Sequence, residues 1–311
     1  MEKSENIFWK KPLIVCVFAI ICCCLWGSAF PCIKLGYQWW GISSNDTGAQ
    51  ILFAGCRFTL SGIFTILIGS RLQKKFLRPK KENIIQILVL ACFQTAVQYF
   101  FFYTGLANTT GVKASIITSA NVFLAIILAS IFMRQEKING KIVTGCILGF
   151  LGVVLVNMRA GTTDLQINVR GDGAIFLSAL SSAISSVFIK KFSQKTNPVM
   201  LSGYQFFCGG LVLIMCGFLA GGNLQAVSVR GIGILLYLAF LSAVAYTLWG
   251  ILLKYNPVSK VSVFGFANPV AGVALSTIIL HEKQEGGIIV FVALLLVSAG
   301  IYLVNYCPQE K

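Results

Sequence analysis

Acidic residues are scarce in this chain: 311 residues carry ten Asp and Glu against 25 Lys and Arg, with a single His. None of the ten acids falls in the middle of a long apolar run. Proton-coupled export of cationic solutes generally relies on such an intramembrane carboxylate, so coupling of that kind is not supported. One His and no clustered Asp leave no metal site, no paired carboxylates and no His-assisted nucleophile, which argues against a membrane-embedded enzyme such as a lipid-phosphate transferase. No motif calls for a cofactor. The eleven Cys include no Cys-x-x-Cys pair and lie mostly inside apolar runs. They read as small packing residues rather than as a disulfide framework or a zinc site. Charge of either sign is limited to 11% of residues, too little to coat a water-soluble surface. The formal net charge of +15 would suit a nucleic acid in a soluble domain. Here the cations sit in short breaks between apolar runs, which makes them a topology signal and leaves no nucleic-acid face.

Long apolar runs dominate what is present. Hydrophobic residues make up 57% of the chain, and mean hydropathy is +0.82. A helix needs roughly 20 mostly apolar residues to cross the hydrocarbon of a bilayer. Runs of that kind occupy 13–35, 49–70, 84–106, 111–133, 140–158, 172–190, 198–220, 230–254, 259–280 and 286–306. They are continuously apolar and do not alternate, which excludes strands of a membrane barrel. Lys10-Lys11 before the first run imitates a signal peptide, but the run continues through Trp26 to Leu35 without an Ala-x-Ala site and reads as a retained span. Eighteen of the 25 cations fall on the side that holds Lys10, Lys11, the stretch 71–81, Lys190 and Lys191. The positive-inside rule therefore predicts a multi-pass protein of the plasma membrane with both termini in the cytoplasm.

The chain is also written twice. Ala96-Val97-x-Tyr99, Lys113-x-Ser115 and Ala120-Asn121 recur as Ala243-Val244-x-Tyr246, Lys260-x-Ser262 and Ala267-Asn268, each at an offset of 147. Gly55-x-Arg57-Phe58-x-x-x-Gly62 returns as Gly203-x-Gln205-Phe206-x-x-x-Gly210 at an offset of 148. Five spans per copy is an odd number, so the copies must lie antiparallel. The predicted fold is all-α and integral to the membrane: ten transmembrane helices as two inverted five-helix repeats, 1–158 and 171–311. Such duplications place a substrate path at the pseudo-two-fold interface, near the membrane midplane.

Leu25-Trp26-Gly27-Ser28-Ala29-Phe30-Pro31 with Ile33-Lys34-Leu35, Arg57-Phe58 in the second span, and Glu136 and Glu282 closing the fourth and ninth resemble the EamA-type branch of the drug/metabolite transporter superfamily. The resemblance covers essentially the whole chain. It implies a ten-helix inverted repeat whose central cavity is lined mainly by spans 1, 3, 4, 6, 8 and 9, and a role in moving small metabolites, often outward. The family often places Pro after the Asn-like position of spans 4 and 9. Asn268-Pro269 keeps this and Asn121-Val122 does not, so the first copy is expected to flex less there.

Several polar residues are candidates for the path. Arg57 lies mid-span, where an ionised group costs at least about 2.5 kcal/mol unless it faces protein, water or a partner. It is read either as a ligand for an anionic group or as a structural Arg held by neighbouring helices. Lys113 and Lys260 each occupy a first helical turn, where the helix dipole disfavours a cation. Attraction of an anion at each mouth of the path and snorkelling at headgroup level both account for them. Asn121 and Asn268 lie eight residues deeper, about 12 Å along the helix. Buried Asn in lipid requires a partner, either substrate or another helix. Tyr99 and Tyr246, with Gln94, Gln98, Trp26 and Trp249, would give an aromatic and amide lining suited to a zwitterionic or aromatic metabolite, or serve as ordinary packing. Gly145-x-x-x-Gly149 and Gly217-x-x-x-Gly221 permit close helix approach, within one chain or in a homodimer. The expected activity is secondary transport or export of small molecules such as amino acids by alternating access. An organic-anion or phosphometabolite exchanger is the alternative that Arg57, Lys113 and Lys260 would serve.

Overall fold

The structure, a computed structural model, describes residues 7–109, 111–133, 138–158, 168–224, 228–280 and 287–306. In hydrocarbon each backbone N–H and C=O must be satisfied within its own segment, so continuous apolar runs become helices. They do so close to the predicted limits: α1 (Pro12–Trp40), α2 (Thr47–Leu72), α3 (Lys81–Leu106), α4 (Gly111–Phe132), α5 (Gly140–Met158), α6 (Val169–Ser193), α7 (Pro198–Leu219) and α8 (Val229–Tyr255). α9 is assembled from Val258–Ser262, Val263–Phe266 and Ala267–Leu280, and α10 is Gly287–Tyr306. Among the described residues nine of these are long and apolar enough to span a membrane, and α5 supplies a shorter apolar stretch, Gly140–Leu155. Helix starts are marked by polar caps. Asp46 accepts from the Ala49 N–H at 2.8 Å, and Asn197 from Val199 at 2.9 Å ahead of Pro198.

Glycine decides how the helices meet. α2 carries Gly48, Gly55, Gly62 and Gly69, and α7 carries Gly203, Gly210 and Gly217, each series spaced by seven residues. A seven-residue spacing keeps one seam of a helix facing the same partner. A methyl group at Gly62 would lie 2.5 Å from the Phe207 nitrogen and 2.7 Å from the Gly203 carbonyl oxygen. One at Gly55 would lie 3.0 Å from the Gly210 carbonyl oxygen, and one at Gly48 would meet Gly222. Partner numbers fall as residue numbers rise, so α2 and α7 run antiparallel. Because Gly55 and Gly62 are the equivalents of Gly203 and Gly210, each pair exchanges partners across a pseudo-two-fold axis. α5 and α10 repeat the relation, with Gly145 against Gly300 and Gly152 against Ala293. α1 packs on α8 and α9 as α6 packs on α3 and α4. The two repeats are inverted copies that interlock.

Of the glycine pairs singled out in the sequence, Gly145 and Gly149 are both spent inside the chain, on Gly300 and on the Phe266 ring. Gly217 and Gly221 serve different purposes. Gly217 packs against Leu52, whereas Gly221, at φ 79°, touches nothing on its Cβ side among the described residues and forms the turn after α7. We predict that Gly62→Ala, which puts Cβ into fixed backbone, lowers stability by about 1–3 kcal/mol or more. Gly233→Ala, where nothing lies within 4 Å, should be neutral. Equal thermal shifts for the two purified variants would contradict the assignment.

Candidate substrate site on the pseudo-two-fold axis

Arg57 projects from the middle of α2 into the chain and is 3% exposed. Its Nε and Nη2 both donate to Ser242 Oγ of α8, at 3.0 and 2.8 Å, and Ser242 in turn donates to the Leu238 carbonyl. Its guanidinium carbon lies 5.0 Å from the centroid of the Phe58 ring, a cation–π distance. Four tyrosines, Tyr37 of α1, Tyr99 and Tyr103 of α3 and Tyr246 of α8, lie within range of its charge. No carboxylate pairs with Arg57 among the described residues, and the buried polar set contains no Asp or Glu. A cation stripped of water costs several kcal/mol unless compensated. Hydroxyl dipoles and one aromatic face offset part of that, and an incoming anionic group would supply the rest.

The pseudo-symmetry of the site is visible atom by atom. The counterpart of Arg57 is Gln205, 0% exposed, and the counterpart of Ser242 is Thr95. Thr95 Oγ1 donates to Gln205 Oε1 at 2.7 Å, so the same α2–α8 contact recurs as α7–α3 without a charge. Gln205 Nε2 has no partner. On the axis, duplicated residues meet each other. The Tyr99 and Tyr246 hydroxyls lie 2.5 Å apart, and the Phe58 and Phe206 rings stack at 5.4 Å. Between two hydroxyls one proton makes the mutual bond and the second remains available to another acceptor.

Among the described residues some buried polar atoms have no hydrogen-bond partner, and one of them adjoins this pair. Trp26 packs 5.0 Å from both Tyr246 and Trp249, and its indole N–H is unpartnered. Gln98 Oε1, Thr118 Oγ1, Thr247 Oγ1 and Asn268 Oδ1 likewise have no partner among the described residues. Native interiors leave few polar groups unsatisfied, so the unpartnered atoms of Trp26, which packs on Tyr246, and of Gln98, the chain neighbour of Tyr99, mark a place that awaits a ligand or water. Local backbone irregularity coincides with it. The segment Ala91–Val97 of α3 is a π-helix, and Val263–Phe266 of α9 is 3-10. The second has a direct cause: Pro269 has no N–H for the Gly265 carbonyl and its ring crowds the preceding turn. α4, which has Val122 in place of that proline, is regular α-helix from Gly111 to Phe132.

The other sequence candidates are placed differently. Asn121 Nδ2 donates to Ser182 Oγ of α6 at 3.2 Å, a helix-to-helix bond. Gln94 is buried within the π segment. Lys113 and Lys260 are half-buried at the third residues of α4 and α9, and the Lys260 carbonyl accepts from Asn305 Nδ2. Glu136 and Glu282 lie outside the described residues. Sequence reasoning missed Tyr37, Tyr103 and Ser242. Ser242 carried a signal, since it and Thr95 are small hydroxyl residues at one duplicated position. Among the described residues no group of His, Cys, Asp and Glu is arranged to hold a metal ion. A surface cleft lined by Asn139, Gly140, Lys141, Thr144 and Leu303 lies at the ends of α5 and α10, with none of the axis residues in its walls.

Comparison with known proteins agrees with this architecture. The EamA-like transporter family model matches residues 13–158 and again 169–306. An uncharacterized transporter of Archaeoglobus fulgidus is 28% identical over 90% of this chain and 94% of its own length. A probable amino-acid metabolite efflux pump of Escherichia coli is 26% identical over 92% of this chain and 93% of its own. A solved crystal structure superposes with a TM-score of 0.75 at 19% identity, covering 93% of this chain and 95% of that one, which supports the fold. With inverted repeats, a polar cluster where they meet, and a family match over both halves, the chain belongs to the EamA-like transporter family and is a multi-pass membrane transporter.

Proposed function

We propose that this transporter exports small carboxylate-bearing metabolites such as amino acids by alternating access through the interface of its two repeats. The observation that carries this reading is the buried Arg57, without a carboxylate partner among the described residues, set behind the Tyr99–Tyr246 hydroxyl pair on the axis. The guanidinium is nearly enclosed, so the substrate carboxylate meets the tyrosine hydroxyls first, accepting the proton their mutual bond leaves free. Arg57 stabilises the incoming charge from behind. Trp26 Nε1 offers a further donor, while Gln98 Oε1 and Asn268 Oδ1 are acceptors suited to an ammonium group. A zwitterion thus finds both signs matched. The likeness to a probable amino-acid metabolite efflux pump supports the substrate class and the outward direction.

Alternation follows from the inversion. If the two repeats exchange conformations, a site open to one side becomes open to the other, with the glycine-lined α2–α7 contact as the fixed element. The broken backbone of α9 and the π segment of α3 are where a helix can bend at least cost. The driving force in this reading is the solute gradient, since the chain has no mid-span carboxylate to carry a proton. The basic side, with both termini, faces the cytoplasm of a plasma-membrane protein. Each repeat, 1–158 and 171–311, moves as a unit. A phosphometabolite exchanger fits less well, because a dianion calls for more than the single cation found on the axis.

Three outcomes are expected. In proteoliposomes, α-amino acids should move down their gradients, with little effect of an imposed pH gradient. Strong proton-driven accumulation, or flux that requires a counter-anion, would overturn the uncoupled reading. Arg57→Gln, which copies the second repeat, removes charge-assisted stabilisation worth about 1.5–3 kcal/mol and should lower carboxylate flux about tenfold or more while the protein still purifies as a monodisperse species. Unchanged flux would return Arg57 to a purely structural role. If Lys113 and Lys260 draw anions toward the mouths, Lys113→Ala and Lys260→Ala should slow anionic solutes more than neutral ones, with the difference shrinking at high salt. Equal, negligible effects would assign both to snorkelling.

A further inference from the structure

α2 and α7 end in the same backbone motif with different chemistry. After α2, Lys74 adopts a left-handed conformation at φ 49°, with Lys74 N–H donating to the Arg71 carbonyl and Lys75 N–H to that of Ser70. After α7, Gly221 does the same at φ 79°, with Gly221 N–H donating to Phe218 and Gly222 N–H to Gly217. Lys74 and Gly221 hold the same place in the two turns, one residue out of the 148-residue register of the helices before them. Glycine is the economical residue for this turn, because a Cβ is strained there. The second repeat uses it, and the first keeps a lysine.

The surroundings of Lys74 follow the same contrast. Arg71, Lys74, Lys75, Arg78, Lys80 and Lys81 are all exposed, while the equivalent stretch 218–228 contains no Lys or Arg. Apolar side chains are interleaved with these cations and equally open: Leu72 is 78% exposed and Phe76 53%, with the Arg78 guanidinium 5.6 Å from the Phe76 ring. The stretch is not a loose tail. Leu77 is buried beside Gly69 and its N–H donates to Ser70 Oγ, while Asn83 Oδ1 accepts from the Lys80 N–H. It is also bolted to the other repeat: Asn197 Nδ2 donates to Gln73 Oε1, Asn83 Nδ2 to Thr196 Oγ1, and Thr196 Oγ1 to Gln86 Oε1. Exposed Lys195 joins the same surface. Glu82, the single acid of the stretch, is exposed and 3.7 Å from Lys80.

We propose that this platform is a binding site for the headgroups of anionic phospholipids. It lies between the ends of two spans, at headgroup depth. Fixed cations there face phosphate oxygens, and Leu72 and Phe76 enter the adjoining acyl region, a combination that a freely soluble anion would not need. A nucleic acid or acidic protein would leave those two side chains in water. Because the platform ties α2 and α3 to the α6–α7 turn, lipid held there strengthens the contact between the repeats.

The test compares thermal unfolding of the full-length protein in phosphatidylcholine nanodiscs with and without phosphatidylglycerol. Wild type should be stabilised by phosphatidylglycerol, and the gain should shrink as salt is raised. Lys74→Gly alone should raise the melting temperature in phosphatidylcholine, by relieving the strained turn, yet reduce the gain from phosphatidylglycerol. Lys74→Gly/Lys75→Gln/Lys80→Gln/Lys81→Gln should abolish that gain, whereas Arg170→Gln/Arg230→Gln, at exposed cations elsewhere, should retain it. Full phosphatidylglycerol stabilisation in the quadruple variant, or equal loss in the Arg170/Arg230 control, would overturn the proposal.

Discussion

Close backbone contact between α2 and α7 is the constraint from which the rest of this structure follows. In lipid there is no water to expel from between two helices, so association rests on packing, and glycine permits the closest approach. The two glycine series sit at equivalent places in inverted copies, so their crossing lies on the pseudo-two-fold axis. Whatever precedes or follows those glycines is carried to the axis as well. Phe58 therefore stacks on its own equivalent, Phe206. Arg57 and Gln205, one residue earlier, reach across to α8 and α3 on opposite sides of the axis and make matching contacts with Ser242 and Thr95. The position of the buried charge is a consequence of the helix crossing.

Symmetry explains the scaffold, and departures from it mark chemistry. Inverted copies must be nearly alike for an exchange of conformations to convert one access state into the other. At the axis the copies nevertheless differ by one charge, Arg57 against Gln205. They differ also in backbone regularity, since α9 is broken where α4 is continuous and α3 has a π segment that α8 lacks. A substrate with two distinct ends is itself asymmetric, and one charged and one neutral half-site orient such a molecule. At the basic surface the same contrast recurs between Lys74 and Gly221, where the strained residue belongs to the copy that carries the charge.

Much of the architecture was legible in the residues alone. Ten apolar runs became ten helices with limits displaced by a few residues, because length and apolarity are what the bilayer selects. The inversion was legible from the odd span count, and Tyr99 with Tyr246 was singled out because both copies retain it. Facing was harder to read. Helices apolar all round give little signal of which side meets protein and which meets lipid, so Asn121 proved to bond Ser182 while Tyr37 and Tyr103, unmatched in the second copy, escaped notice. The seven-residue glycine spacing was present in the sequence and would have identified the α2–α7 seam, whereas the pair Gly217/Gly221 pointed to a contact that Gly221 does not make. The π segment of α3 has no local sequence signature; it packs on α6 and α7, where Ser181 Oγ donates to the Phe93 carbonyl and Gly209 lies against Thr95.

The central claim is that the axis site recognises a carboxylate through the Tyr99–Tyr246 pair backed by Arg57. The most direct measurement is calorimetric titration of the purified transporter with a transported α-amino acid and with the amine that differs from it only in lacking the carboxylate. The account predicts binding of the amino acid and affinity for the amine lower by about tenfold or more, with the difference largely lost in Arg57→Gln. Equal affinity of the wild-type protein for the two compounds would contradict it.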